Sequence, residues 1–162
     1  FTNCTDGVDG LLGTVSSVTL GTFALIFLLL GTELDLIQMN VVFIASLLAY
    51  LVYNASPSRI LMGDAGSRAI GVFIGIMALK TGNLLFCIPA AFVILLDGGI
   101  GLFKLLVIRI TKKKNFLKSV RTPLHDHARY KFGWSDTQVG YRFAIIQLLV
   151  SLLCVAAMLL QR

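Results

Sequence analysis

The chain alternates long apolar runs with short polar segments, and five of these runs are long enough to be candidates for membrane-spanning helices. A helix rises about 1.5 Å per residue, so roughly 20 apolar residues cross a hydrocarbon layer of about 30 Å. The pattern predicts spans at residues 11–30, 36–53, 65–79, 84–110 and 137–160, with a polar loop at 111–136. We therefore expect an all-α fold in which residues 1–162 form a single polytopic membrane domain.

The fourth run is the longest and contains two helix-breaking features, Pro89 and the triplet Asp97-Gly98-Gly99. Proline removes a backbone donor and glycine loosens a helix, so we predict one long, broken helix here. An ionisable residue inside a span is a functional hypothesis by default, and Lys104 lies two turns further on. The competing interpretation, which the neighbouring glycines favour, is that Asp97 belongs to a hinge and is satisfied by freed backbone groups.

The polar loop before the last run has the signals of a short amphipathic helix. Thr122 and Pro123 are typical of an N-cap and a first helical position, and Gly133 is typical of a helix end. Ser135 and Gln138 have the spacing of a capping box, which predicts that the last span begins at this point.

Composition supports the membrane assignment, because 57% of the residues are hydrophobic and only 14% are charged, against about 25% charged in soluble domains.

Five crossings of the membrane would put residues 1–10, 54–64 and 111–136 on the same side. That side holds most of the basic residues: Arg59, Lys112, Lys113, Lys114, Lys118, Arg121, Arg129 and Lys131. The other side holds Lys80, Arg162, Glu33 and Asp35. The excess of Lys and Arg predicts that the first side is cytoplasmic and faces anionic lipid headgroups. Topology thus explains the net charge of +6, and we expect no nucleic-acid partner.

The same count of crossings places the polar residues that could bind ligands or take part in catalysis on the predicted cytoplasmic side. They are Asp6, Asp9, Asp64, His125, Asp126 and His127. Such a distribution predicts one site at the cytoplasmic membrane surface.

Two acidic segments are candidates for this site. In NCTDGVDGL, residues 3–11, Asp6 and Asp9 would share one face of a helix; they would make polar or metal contacts, or simply cap the first span. In LMGDAGSRAIG, residues 61–71, Asp64 stands at a helix start. It would hold a divalent cation that binds phosphate, since Mg²⁺ takes one or two carboxylates plus phosphate oxygens, or it would be a helix cap.

The third candidate is the His-Asp-His cluster at residues 125–127. On a helix, His125 and His127 would point roughly 200° apart, so they would not bind one metal together. A helix N-terminus with imidazoles and Arg121 or Arg129 would instead favour a phosphate. Alternatively, the segment is an interfacial helix with its apolar and aromatic residues among the headgroups, and both interpretations can hold together.

Three segments together resemble the polyprenyl-phosphate N-acetylhexosamine-1-phosphate transferase superfamily. NCTDGVDGL is similar to the family's Asn-Leu-Thr-Asp-Gly-Leu-Asp-Gly-Leu. YNASPSRILMGDAGS, residues 53–67, is similar to Phe-Asn-x-x-Pro followed by Phe-Met-Gly-Asp-x-Gly-Ser. TPLHDHARYKFGWSDTQVGYRF, residues 122–143, resembles Pro-Leu-His-His-His with later Gly-Trp, Thr-Gln-Val and Arg-Phe. The segments follow the family's order and extend over nearly the whole chain.

The resemblance implies a reaction at the bacterial inner membrane. Phospho-MurNAc-pentapeptide would pass from UDP-MurNAc-pentapeptide to undecaprenyl phosphate at the cytoplasmic face, giving lipid I and UMP in peptidoglycan biosynthesis, with Mg²⁺ as cofactor. Family members have about ten spans, so this chain would correspond to the last five. Its implied partner is the N-terminal half of the same enzyme, with an Asp-Asp motif that is absent here. We expect this chain alone to be inactive, and a homodimer is left open.

The resemblance also assigns roles position by position. Asp64 would be the metal ligand, and the catalytic residues would be Asp64, Asp6, His125 and His127. The substrate-binding residues would be Asn3, Asp6, Gly7, Val8, Asp9, Asn54, Leu61, Ser67, His125, Asp126 and His127. Two positions depart from the family pattern. Asp126 replaces a histidine and cannot act as a neutral imidazole donor. Leu61 stands where the family often has a phenylalanine to stack on uracil, so it offers apolar contact without an aromatic face.

Three other functions are compatible with the sequence, one of which is a scaffold half that only docks with a partner chain. A sister enzyme of the same superfamily would transfer GlcNAc-1-phosphate to the same lipid. A transporter or ion-pathway module, a function of another class, would use Asp97, Lys104 and the broken fourth span.

Overall fold

A computed structural model describes residues 1–32, 34–112 and 120–160, and within these ranges the chain forms helices and no strand. The helices are α1 (Thr2–Thr5), α2 (Leu11–Leu30), α3 (Leu34–Asn54), α4 (Gly63–Lys80), α5 (Cys87–Ala90), α6 (Phe92–Thr111), α7 (Leu124–Phe132) and α8 (Asp136–Leu160), with a 3-10 turn at Leu84–Phe86 before α5. The predicted all-α fold is confirmed. Five charged residues of the topology argument, Glu33, Lys113, Lys114, Lys118 and Arg162, lie outside the described residues.

Helix α2 is the centre of the bundle, and α3 and α8 pack on it. In α2, 61% of the most apolar window is buried, against 11% in α3 and 17% in α8. The hydroxyl of Thr22 donates to the Ser151 hydroxyl at 2.7 Å and so joins α2 to α8. The outer faces of α3 and α8 expose large apolar side chains, as helices that face lipid do.

In the part of the chain that the structure describes, three helices, α2, α3 and α8, are long and apolar enough to cross a membrane. The segments Leu84–Ala90 and Phe92–Thr111 qualify together as a fourth, bent by 92° at the break between them. Helix α4 is 18 residues long and carries Asp64, Arg68 and Lys80, and it is not among these candidates. The chain is thus an all-α membrane protein with three or four candidate spans. The remaining predicted span, at residues 65–79, stays a prediction.

The break in the fourth predicted span lies at Ala91, two residues after Pro89. Helix α6 then continues without interruption through Asp97, Gly98 and Gly99, so the expectation of a hinge at Asp97 is wrong. Gly98 is explained by packing and not by a hinge, because a β-carbon there would collide with the backbone of Phe1. The glycine therefore lets the N-terminal segment pack directly on α6.

The start of α7 differs slightly from its prediction. Its N-cap is Pro123, in an extended conformation, rather than Thr122. The predicted end is confirmed, since Gly133 has a φ of +66° that glycine adopts at little cost. The capping box of α8 is also confirmed, with reciprocal 3.2 Å hydrogen bonds between Ser135 and Gln138.

Candidate functional site

One end of the bundle holds a polar cavity of about 260 Å³, which we call the acidic cavity. It forms where α1 meets the start of α2, the end of α3 and the start of α4. Its lining residues are Asn3, Asp6, Gly7, Val8, Asp9, Asn54, Leu61, Met62, Gly63 and Asp64. The structure therefore brings two separate sequence motifs, at residues 3–11 and 53–67, to one place.

Asp6 and Asp64 are the electrostatic centre of the acidic cavity. Partial burial raises the pKa of Asp6 above its ordinary value, and the negative charge of Asp64 raises it further. Asp64 itself is exposed and accepts a hydrogen bond from Arg68 at 2.6 Å, one helical turn further on. Two carboxylates that repel each other beside oxygen-rich neighbours fit a divalent cation such as Mg²⁺, which needs one or two carboxylates and fills its other positions with phosphate or water. Within the described ranges, no group of three His, Cys, Asp or Glu side chains surrounds a metal position.

Asn54 and Asp9 hold the two motifs together. The Asn54 side chain accepts the backbone N–H of Gly10 at 2.9 Å and donates to the carbonyl of Ile60 at 2.8 Å. Asp9 accepts the backbone N–H of Ser58 at 3.1 Å. Both side chains line the cavity while binding backbone groups, so they fix its walls.

A second link ties α1 to α4. The buried hydroxyl of Ser67 donates to the Asn3 side-chain oxygen at 2.8 Å, with the carbonyl of Gly63 at 3.1 Å. Val8 is buried with 6% exposure and belongs to the core, whereas Leu61 is 77% exposed at the cavity rim. The cavity is therefore supported by buried residues on one side and open at Leu61.

The two histidines of α7 lie in different environments, in agreement with the helical period. His125 is 2% exposed, and its ring lies directly behind Gly7, where a β-carbon would collide with Nε2. His127 is partly exposed, and its Nδ1 accepts the backbone N–H of Arg121 at 3.3 Å. Of the two, His125 is the one that borders the loop of the acidic cavity.

Asp126 lines a second cavity, beside α7, of about 660 Å³. Its carboxylate is 3.9 Å from both His125 Nε2 and Arg129 Nη1. The two arginines expected near phosphate also line this cavity and are already engaged: Arg121 stacks on Tyr130 at 3.5 Å, and Arg129 pairs with Asp136 at 2.8 Å. Neither arginine lines the acidic cavity.

Two contacts of the site were missed by the sequence reasoning. Arg68 pairs with Asp64, and the four-residue spacing of the two on a helix would have revealed it. Asp97, buried in α6, accepts the backbone N–H of His125, and its other carboxylate oxygen lies 2.9 Å from His125 Nδ1. No local pattern joins these two residues, because they are 28 positions apart and meet only through helix packing.

The fold and the site define an all-α membrane protein with an acidic cavity at one end of its bundle. The chain belongs to glycosyl transferase family 4, whose family model matches residues 1–82. Those residues contain the whole acidic cavity.

Relatives extend the similarity over nearly the whole chain. A phospho-N-acetylmuramoyl-pentapeptide-transferase from Treponema pallidum is 41% identical over 93% of this chain and 46% of its own length. Proteins of the same name from Campylobacter curvus and Carboxydothermus hydrogenoformans are 32% and 31% identical, over 96% and 93% of this chain. The chain spans about half the length of these curated relatives, and the predicted family resemblance is confirmed.

Proposed function

We propose that the protein transfers phospho-MurNAc-pentapeptide from UDP-MurNAc-pentapeptide to undecaprenyl phosphate, releasing UMP and forming lipid I for peptidoglycan synthesis. The observation that carries the proposal is that relatives named for a phospho-N-acetylmuramoyl-pentapeptide transfer match 93–96% of this chain, and that every residue of the acidic cavity lies in the range matched by the family model. Paired carboxylates at the end of a membrane bundle would bind an anionic nucleotide-sugar through a divalent cation, next to the lipid acceptor.

In this proposal the residues of the acidic cavity have different roles. Asp64, with Asp6 beside it, would hold Mg²⁺, which neutralises phosphate charge when bound. Asn3, Gly7 and Asp9 would position the nucleoside side of the donor, with Leu61 as an apolar contact at the rim. The phosphate of the lipid acceptor is already charged and needs little activation, so orientation and electrostatics would contribute most of the rate.

The histidines would act on the phosphate side of the site. His125 borders the loop of Asp6 and Gly7, where its Nε2 is the ring atom nearest to the loop. His127 is bonded to the backbone N–H of Arg121, and Asp126 lines the second cavity instead of the acidic cavity, so we propose that they act indirectly or on another part of the substrates.

We further propose that the chain works in the bacterial inner membrane with the acidic cavity on the cytoplasmic face. The excess of basic residues in the segments of that side supports this orientation. Because the chain spans about half the length of its relatives, its main protein partner in this proposal is the N-terminal half of the same enzyme. A homodimer is not required for the cavity to form.

The nearest alternative is transfer of GlcNAc-1-phosphate to the same lipid, which would use the same cavity. The transporter hypothesis has less support. Asp97 is bonded to His125, and the Lys104 ammonium donates to the carbonyl of Val120 at 2.7 Å. Both charged side chains thus hold the segment that leads into α7, instead of facing each other along a pathway.

The test is Asp64→Asn in the full-length protein, assayed for UMP release with undecaprenyl phosphate and either UDP-MurNAc-pentapeptide or UDP-GlcNAc. We expect Mg²⁺-dependent UMP release from the MurNAc donor only, and its loss in the variant. The matched control is Asp35→Asn, which neutralises a carboxylate in the first turn of α3, at the opposite end of the bundle, and should keep activity. Near-normal turnover of Asp64→Asn would refute the metal role. Activity with UDP-GlcNAc alone would refute the donor, and ion flux in liposomes without UMP release would favour the transporter.

A further inference from the structure

The partner of His125 is a buried carboxylate that the proposed reaction does not otherwise use. Asp97 lies in α6 with no exposed surface, and His125 is 2% exposed. One carboxylate oxygen of Asp97 accepts the backbone N–H of His125 at 2.9 Å, and the other lies 2.9 Å from the ring nitrogen Nδ1. Both oxygens of one buried acid are therefore committed to one histidine.

This double contact fixes the ring orientation and the position of its proton. An ionised carboxylate only accepts hydrogen bonds, so the ring nitrogen facing it must carry the proton. Nδ1 is then the donor, and Nε2 is the nitrogen left to exchange a proton with another group. Nε2 points to Gly7 in the wall of the acidic cavity and lies 3.9 Å from the Asp126 carboxylate.

A simpler role would be mechanical, with Asp97 anchoring α7 to α6. The structure contains a separate anchor between α6 and the segment that leads into α7, since Lys104 of α6 binds the carbonyl of Val120 and Gly101 lies close to Thr122. An anchor also needs only the bond to the backbone N–H. The second bond, to Nδ1, goes beyond anchoring the backbone because it also fixes the orientation of the ring.

We propose that Asp97 is a positioning residue, which keeps the His125 proton on Nδ1 and so presents Nε2, free to take or give a proton, toward the acidic cavity. The contribution to catalysis rests on the proposed function, because it assumes that His125 acts on the phosphate groups there. The placement of the proton follows from the contact of Nδ1 with an ionised carboxylate and can be tested without activity.

Asp97→Asn is the informative variant because it has the same shape with the opposite hydrogen-bonding polarity. Its side-chain oxygen can still accept the backbone N–H of His125. Its amide group would donate to Nδ1. That nitrogen must then carry a lone pair instead of a proton, so the proton of the neutral ring would move to Nε2. We expect kcat to fall by about 10- to 100-fold, the usual effect of losing a group that orients a functional histidine, with little change in KM for the UDP-sugar.

The first measurement is ¹⁵N NMR of ring-labelled full-length protein in nanodiscs, with His125 assigned by comparison with His125→Gln. We expect a protonated Nδ1 in the wild type and a protonated Nε2 in Asp97→Asn. A neutral wild-type ring with its proton on Nε2 would overturn the proposal, even if no Asp97 variant accumulates. Failure of the proposed reaction would leave this measurement intact, so the two hypotheses fail separately.

The second measurement separates positioning from anchoring. Lys104→Met removes the other anchor and should keep kcat within about twofold, with the wild-type proton position. A loss of kcat as large as that of Asp97→Asn would favour anchoring and overturn the proposal. If Asp97 acts through the ring, Asp97→Asn combined with His125→Gln should be no slower than His125→Gln alone, since effects through one group do not add. Multiplied losses in the double variant would contradict the mechanism.

Discussion

The side chain of Gln147 in α8 replaces the backbone bonds that are lost where the chain turns into α6: its Oε1 accepts the backbone N–H of Val93 at 2.9 Å. The Gln147 amide nitrogen donates to the carbonyls of Pro89 and Ala90 at 2.9 and 3.0 Å. Gln147 has no exposed surface. A break inside an apolar bundle leaves backbone groups with no water to bind, and one glutamine satisfies three of them.

Gln147→Leu should therefore destabilise the protein strongly. The variant keeps an apolar side chain of similar size but leaves the Val93 N–H and two carbonyls without a partner, and each buried unsatisfied group costs about 1–3 kcal/mol. Thermal unfolding in detergent should show a clear loss of stability. The control is Gln38→Leu, an exposed glutamine of α3, for which we expect little change. Equal stability of Gln147→Leu and the wild type would contradict this account of the break.

Gly7→Ala tests the contact between the acidic cavity and α7. A β-carbon at this position would overlap with the His125 ring nitrogen Nε2, and the ring cannot retreat because Asp97 holds it on the other side. If His125 acts as proposed, turnover in the full-length protein should fall by at least about tenfold, since a small misplacement of a catalytic group is costly. Gly75→Ala in α4 is the matched control, because nothing lies within 4 Å of its β-carbon position. It should keep activity and gain up to about 1 kcal/mol of helix stability. Unchanged turnover in Gly7→Ala would show that the contact is unimportant.

Much of this architecture was predictable from local sequence. The apolar runs gave α2, α3 and α8 within about two residues, because membrane helices depend on a continuous stretch of apolar residues. Gly133 and the Ser135–Gln138 box also give correct boundaries, since helix ends are decided by neighbours within a few residues. Topological parity correctly brought the motifs at residues 3–11 and 53–67 to the same end of the bundle.

Long-range partners were not predictable in the same way. Asp97 looked like part of a hinge because it adjoins two glycines, yet its partner His125 comes from a helix 28 residues later. The backbone groups freed near Ala91 are satisfied by Gln147, more than 50 residues away. Such contacts depend on how helices pack, and a single sequence contains no periodic signal for them.

Asp6→Asn should change how stability depends on pH. The pKa of Asp6 is raised from its ordinary value of 3.8 by burial and by the charge of Asp64, so the folded protein keeps this proton at a pH where the unfolded chain has lost it. Its contribution to stability is therefore present below about pH 4 and is lost as pH rises through the raised value. The variant avoids that loss and should be more stable near neutral pH without metal, by less than about 1 kcal/mol because the group is partly exposed.

Thermal unfolding from about pH 4 to pH 7 in EDTA, for wild type and Asp6→Asn, measures this difference. The curves should diverge as pH rises, and added Mg²⁺ should stabilise the wild type more than the variant. Asp35→Asn, at the other end of the bundle, should show the same dependence of stability on pH as the wild type. Parallel curves for Asp6→Asn would show that burial and the charge of Asp64 do not raise the pKa of Asp6 as the structure indicates.

Arg68→Gln should strengthen cation binding at Asp64. Arg68 holds the Asp64 carboxylate at 2.6 Å, and both side chains are 68% exposed, so a cation must compete with a salt bridge worth about 0.2–1 kcal/mol. Removing it should increase Mg²⁺ affinity by at most about fivefold, measured by calorimetry on the full-length protein. Arg142→Gln removes the same charge from a residue stacked on Trp134, and we expect no change from it. Weaker Mg²⁺ binding in Arg68→Gln would mean that Arg68 orients Asp64 for the metal instead of competing with it.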